Sequence, residues 1–252
     1  MTITAVPLSA LATSLEDIDA PLTTKYLFPE NDIRLHRDME YFWGLEIYTI
    51  NPRHERSMIH IRKSMEVPFP SGTGGWTLVP TEDTLLAMQS LQERNYTVPV
   101  SERESFLTVF SAPEYEYIFV PLYTDVDFFI LLPRQAPQRF STPYTDFPRV
   151  TSSANPFFVA FESRRKIQRF HVTASKSWHR LFRGLTLHWS GSALPEEFLQ
   201  SYHPECLISE SGDGSEPDMP LIDPESKSGG DETIMTPKDE EELPSHAAPD
   251  KE

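Results

Sequence analysis

Within one short stretch the chain carries Asn31, His36, Asp38 and Glu40, the side-chain types that bind a divalent ion and handle a phosphate. His36 and Glu40 are four positions apart, so on a helix they share one face. An imidazole nitrogen and a carboxylate oxygen are donors for Mg²⁺, Mn²⁺ or Zn²⁺, and Asp32 or Asp38 would add an oxygen. A metal set there would activate water against a phosphodiester. The same spacing also describes a polar helix surface with a His–Glu contact and no third ligand in reach. His54, Glu55 and His60 form a second group, readable as catalytic or as solvated loop residues.

A third group is basic. From Ser163 to Pro195 the chain has Arg164, Arg165, Lys166, Arg169, Lys176, Arg180 and Arg183 and no acid, interleaved with Phe170, His171, Trp178 and Trp189. Cations among aromatics suit phosphate and base stacking, so this is the candidate nucleic-acid-binding surface. It reads equally as a solvated basic face, or as one screened by the acidic tail. That tail, Ser209 to Glu252, holds 14 Asp+Glu and 3 Lys, six Pro and no Phe, Trp or Tyr. Such a composition buries too little apolar area to offset ordering entropy, and disorder is expected. A flexible tether would hold it near the basic run at high effective concentration. Ser215, Ser228 and Thr236 lie in acidic or Pro-directed contexts where phosphorylation would add more negative charge.

These groups must be positioned by elements. Ile33, Leu35, Met39, Phe42 and Trp43 have helical spacing over Asn31–Trp43, and Gly44 is a natural stop. Leu45–Ile50 and Ser57–Arg62 alternate like strands and predict a hairpin. Trp76–Val79 predicts a strand. Thr81 caps a helix burying Leu85, Met88 and Leu91, and a second, short helix opens at Ser101, with Glu104 at capping-box spacing, and buries Phe106, Leu107, Val109 and Phe110. Tyr115–Leu122, Phe128–Leu132 and Phe157–Phe161 read as strands. The Pro-rich run Pro133–Asn155 reads as an arm pinned by its Tyr and Phe side chains. Trp178, Leu181, Phe182 and Leu185 mark an amphipathic helix. The expectation is an α+β fold: a small mixed domain over residues 25–195, after a flexible extension, residues 1–24, and before an acidic tail, residues 196–252.

Composition excludes several classes. The 252 residues carry a net charge of -16 and one Cys, which rules out a disulfide scaffold and a generally basic nucleic-acid binder. No run approaches the ~20 apolar residues of a membrane span, and the N-terminus lacks the basic start of a signal peptide, so no membrane partner and an intracellular, cytoplasmic or nuclear, setting are expected. Gly72–Gly75 lacks the Lys-Ser/Thr of a phosphate loop, and no Gly-x-Ser-x-Gly, His-Glu-x-x-His or Cys-x-x-Cys occurs, leaving serine-hydrolase, kinase and oxidoreductase chemistries unsupported.

The order Asn31…Leu35-x-x-Asp38-Met39-Glu40-x-x-Trp43 resembles the second half of the HNH endonuclease motif. The form is that of fungal, basidiomycete-type HNH-domain proteins, where an Asn precedes a helix of the type Leu-x-x-Asp-Leu-His-x-x-Phe. The similarity extends over roughly residues 26–163, through Trp76–Pro80, Glu93–Leu122, Phe140–Pro148 and Asn155–Val159. It implies a strand imidazole that activates water, an Asn that orients it, and a helix imidazole that holds a divalent ion. This chain departs at both imidazoles: Glu40 stands at the helix position and Tyr26, in Lys25–Pro29, at the strand position. A phenol with pKa near ~10 is a poor base. The resemblance therefore implies a catalytically inactive remnant or interaction module with no cofactor. The alternatives are a divergent endonuclease using Asn31 and Glu40 as catalytic groups with His36, Asp38 and Glu40 on Mg, Mn or Zn, and a non-catalytic nucleic-acid binder. Partners are nucleic acid or protein; nothing in the residues specifies the oligomeric state.

Overall fold

The computed structural model describes residues 5–66, 75–122, 126–144, 146–169, 177–187, 189 and 194–200. The chain divides into two units, Met1–Cys206 and Leu207–Glu252, and every described residue lies in the first. Residues 201–252 of the predicted acidic tail, with Cys206 among them, the Gly72–Gly74 segment, Phe170, His171 and Lys176 lie outside the described residues. The fold is α+β.

Its largest sheet contains β1 (Ala5–Pro7), β9 (Arg149–Ser152), β6 (Tyr115–Pro121) and β5 (Trp76–Pro80), side by side in that order. β1 pairs parallel with β9, and the other contacts are antiparallel. A second sheet joins β2 (Leu11–Ala12), β7 (Phe128–Ile130) and β8 (Gln138–Phe140), and a third pairs β3 (Leu22–Tyr26) with β4 (Met58–Arg62). Residues 5–24 are thus no flexible extension: they supply two strands and the start of a third, and Val6, Leu8, Leu11 and Ala12 are buried. At the other end a short helix, Glu196–Gln200, buries Phe198 against Tyr41, so it belongs to the body although it was expected in the tail.

Among the described residues six α-helices accompany these sheets. α1 is Ile33–Phe42, capped by the Asp32 side chain, which accepts from the Leu35 N–H at 3.0 Å. Gly44 ends it at φ 70°, and a Cβ there would run into the Glu104 carbonyl and stand 2.5 Å from Asn95 Nδ2. Only glycine meets both demands. α2 (Glu82–Thr97) is capped by Thr81 and buries Leu85, Met88 and Leu91 as its spacing predicts. α3 is one turn, Phe106–Val109, capped by Ser105; the capping-box Ser101 sits in a separate 3-10 turn, Val100–Glu102. α4 is Pro156–Arg169, α5 is Ser177–Leu187 and α6 is Glu196–Gln200.

Trp43, with no exposed surface, is the centre of the core. Phe28, Phe106, Phe158 and Trp189 lie 5.5, 5.1, 5.3 and 5.6 Å from it, centroid to centroid, in tilted or edge-on contacts. Each such contact adds roughly 0.5–1.5 kcal/mol beyond area burial. The Pro-rich arm is pinned as expected: Phe147 stacks on Phe119 at 4.7 Å and Tyr144 donates its hydroxyl to the Val126 carbonyl. Two strands inside the arm, β8 and β9, were not predicted.

Two predicted strands are absent. Leu45–Ile50 does not pair with Met58–Arg62, whose partner is Leu22–Tyr26. The segment instead loops round the Glu40 carboxylate and passes through Tyr48 at φ 64°. Phe157–Phe161 lies inside α4. All five residues are at most 7% exposed, and a run buried on every side carries no period that separates strand from helix.

Asn155 makes that choice. Its Oδ1 accepts from the Phe157 N–H at 3.0 Å, and Pro156 follows as first helical residue. Its Nδ2 donates to the Phe110 carbonyl at 3.0 Å and its N–H to the Arg56 carbonyl at 2.8 Å. The Arg56 guanidinium then holds the Phe110, Ser111 and Ala112 carbonyls. Asn155→Ala removes the cap and a buried donor, and is expected to lower stability by about 2 kcal/mol in a urea titration.

Candidate functional site

α1 brings His36 and Glu40 onto one face, as their spacing requires, but Glu40 is not available to a ligand. Glu40 is 1% exposed. Its Oε2 accepts from the Tyr48 N–H at 2.9 Å and its Oε1 from the Ile50 N–H at 2.8 Å. His36 Nε2 lies 2.6 Å from the Pro29 carbonyl, which can only accept, so that nitrogen carries a proton. The ring also packs on Phe28, centroids 5.0 Å apart. Asp38 is two positions from each, about 200° round the helix. His36, Asp38 and Glu40 therefore do not converge on a common point, and the set does not fit a divalent ion. Among the described residues no group of three His, Cys, Asp or Glu is placed to hold a metal.

Asn31 is exposed beside the Asp32 cap and makes no contact with His36 or Glu40 among the hydrogen bonds of the site. Tyr26 ends β3, 44% exposed, paired with Met58. His54 is exposed, and its Nδ1 accepts from the Arg56 N–H at 3.1 Å. His60 is on the outer face of β4, its Nδ1 3.2 Å from Thr24 Oγ1. The two histidines serve a turn and a strand pair.

The basic run separates into different environments. Arg165, Arg180 and Arg183 are exposed, and Arg164 is half-buried with its guanidinium 4.2 Å from the Phe161 ring centroid. Lys166 does not belong to a solvated face. It is 9% exposed, its Nζ lies 2.6 Å from Glu162 Oε1 and 3.3 Å from the Trp76 carbonyl, and its aliphatic stem lies in the core. Arg169 closes α4, but its side chain, like Lys176, lies outside the described residues.

The cluster that sequence reading missed lies there. Glu162 receives Lys166 from one helical turn away and Lys25, at 3.3 Å, from β3. Thr77 Oγ1 stands 3.5 Å from the other carboxylate oxygen and donates to Ser163 Oγ at 2.8 Å. Lys25, Glu162, Ser163 and Lys166, with Leu27, Trp76 and Val159, line a cavity of about 10 Å³, the size of one water. Burial pushes the Glu162 carboxyl up, but Lys166 and Lys25 outweigh it, and the net shift is downward. Burial lowers the Lys166 ammonium, with Glu162 opposing. The Glu162–Lys166 spacing was a legible signal; Lys25, 137 residues away, was not.

The main features of the unit are thus a buried carboxylate that organises a loop, a buried ion cluster under the largest sheet, and an arginine-bearing helix pair. No helix among the described residues is long and apolar enough to cross a membrane. No family model matches this sequence, and neither a curated protein nor a solved structure matches it.

Proposed function

We propose that this chain is a non-catalytic interaction module descended from an HNH-type nuclease domain. One observation carries the reading: the side chain standing where the resemblance calls for a metal-binding imidazole is Glu40, buried, with both oxygens committed to backbone N–H groups of its own loop. A carboxylate buried in that role stabilises the fold and is closed off from a substrate. Tyr26 at the other key position supports the same reading, since a phenol does not activate water at neutral pH.

Incubating supercoiled plasmid with the full chain and Mg²⁺, Mn²⁺ or Zn²⁺ tests this. No nicking above a metal-only control is expected. Nicking that disappears in Asn31→Ala would overturn the proposal and favour the divergent endonuclease. Asn31 is the informative control because it is exposed, whereas loss of activity in a Glu40 variant would not be separable from unfolding.

A further inference from the structure

We propose that β3 pairs antiparallel with β3 of a second copy of this chain, about a two-fold axis at Thr24. The ladder with β4 fixes which backbone groups are spare. Leu22 to Tyr26 stand opposite Arg62 to Met58, and the Leu27 N–H donates to the Ser57 carbonyl at 2.8 Å. Bonded positions alternate in an antiparallel pair, so Thr23 and Lys25 turn their N–H and C=O groups toward β4. Those of Leu22, Thr24 and Tyr26 therefore point away from β4, along an edge where no further strand pairs among the described residues.

The other sheet edges are covered or blunted. The Lys166 ammonium and the Ser163 hydroxyl donate to the Trp76 and Leu78 carbonyls of β5. β4 packs against the turn Leu8–Ala10, and β2 is buried. β1 and β8 have three residues each; β1 ends in Pro7 and β8 follows Pro137. β3 has five residues and no proline. Its one charge, Lys25, lies toward α4, 3.3 Å from Glu162. Leu22 and Tyr26 are 47% and 44% exposed, and Thr24 between them is exposed too.

The sequence of the strand selects the occupant, because β3 is complementary to itself. With the axis at Thr24, that residue faces the partner's Thr24, and Leu22 faces the partner's Tyr26 at each end. All three open positions then form bonded pairs, each exchanging two main-chain hydrogen bonds. A Thr–Thr pair flanked by aliphatic–aromatic pairs is a favourable cross-strand set. On the opposite face Thr23 meets the partner's Lys25, so the two lysines are not opposed and each keeps its own Glu162. Sliding the strands by two residues loses one bonded pair.

The inference names a partner for the interaction module and so rests on that reading, but the two fail separately: plasmid nicking reports on α1, sedimentation on β3. Sedimentation equilibrium of the full chain is the test. One strand edge is smaller than the roughly 800 Å² per partner of a standard contact, so a dissociation constant on the order of 100 μM is expected. It should fall as salt rises from about 50 to 500 mM, because each copy carries a net charge of -16 and the mutual repulsion is screened. Thr24→Lys sets like charges opposite each other across the axis. It is expected to raise the dissociation constant at least about tenfold, with the thermal midpoint of the dilute monomer unchanged because the side chain is exposed.

Thr24→Cys in a Cys206→Ser background reads the register. Bonded partners have Cα atoms about 5.5 Å apart, within disulfide reach, so mild oxidation should link these chains into dimers. Leu22→Cys in the same background faces the partner's Tyr26 and should stay unlinked. A chain that remains monomeric at about 1 mM overturns the proposal and leaves the edge to a strand of another protein. So does a dimer that Thr24→Lys does not weaken, or one that Leu22→Cys links as readily as Thr24→Cys.

Discussion

Glu40→Ala is expected to cost about 3–5 kcal/mol, the largest loss from any single polar group in the unit. The substitution removes one carboxylate but strands two donors, the N–H groups of Tyr48 and Ile50, 2.9 and 2.8 Å from its oxygens. A buried amide without a partner loses its hydration and gains nothing in return, at about 1–3 kcal/mol each. Loss of the anchor also frees a loop that passes through Tyr48 in the left-handed region. Glu40→Gln separates the contributions. Its amide oxygen still accepts one N–H while its NH₂ faces the other, so a loss of about 2 kcal/mol is expected, between wild type and alanine. Urea unfolding followed by tryptophan fluorescence measures both. In a unit of this size, about 4 kcal/mol corresponds to roughly 10 °C in Tm. Equal stability of wild type and Glu40→Ala would show that the loop is held by something else.

The second large effect is at Glu162. Its side chain is 18% exposed and that of Lys166 11%. Removing the carboxylate in Glu162→Ala leaves a buried ammonium with only the Trp76 carbonyl for company, and about 3 kcal/mol is the expected loss. Lys25 is 37% exposed and can turn to solvent, so Lys25→Ala should change stability by less than about 1 kcal/mol. The double variant Glu162→Leu/Lys166→Met removes both charges and replaces them with apolar volume. It should recover most of the single-variant loss, because a buried ion pair contributes little net stability over well-packed hydrophobes.

The pH dependence follows from the same cluster. The Glu162 carboxyl is held below its ordinary value in the folded protein, because Lys166 and Lys25 outweigh the upward effect of burial. A depressed carboxyl contributes its full stability above the unfolded pKa, near ~4.3, and loses it as pH falls through the lower folded value. The wild-type midpoint in urea should therefore drop on acidification below about pH 4. Glu162→Gln should show a shallower drop over the same range. Identical acid limbs in the two proteins would mean that Glu162 is not ionised and paired as its contacts require.

Legibility differed by element for physical reasons. α1, α2 and α5 were readable because each is half-buried: an apolar stripe such as Leu85, Met88 and Leu91, or Trp178, Phe182 and Leu185, prints the helical period onto the sequence. Two of their ends were equally plain, since Thr81 precedes two acids and Gly44 follows an aromatic pair. α4 was misread where burial is complete on all sides, at Phe157–Phe161, and the period vanishes. Leu45–Ile50 was misread because alternation describes what a segment prefers in isolation. Its fate was set by an acceptor on the preceding helix, and a carboxylate fully occupied by amides wins over a strand edge that would have left Glu40 unpartnered in the core.

The candidate site followed the same division. Residue types and the four-residue spacing placed His36 and Glu40 on one helical face, and that placement holds. Whether such a face is a ligand site depends on which atoms remain free, a quantity absent from spacing. Pro29 takes one of the two His36 ring nitrogens, Tyr48 and Ile50 take both Glu40 oxygens, and Asp38 stands elsewhere round the helix. Lys166 shows the reverse case, a cation that reads as surface and is drawn inward by Glu162, one turn away, and by the aromatic wall of Trp76.

What the linear chain specified alone is local: helix periods, caps, the stop at Gly44, and the concentration of arginines after residue 163. These depend on neighbours within a turn or two, whose energies act wherever the segment lies. What required the folded molecule is the pairing of β3 with β4, the capture of residues 48 and 50 by Glu40, and the meeting of Lys25 with Glu162. Those choices are made by burial. Once a polar group leaves water it must be paired with whatever the packing brings near, and its partner is chosen by proximity in space, whatever the distance along the chain.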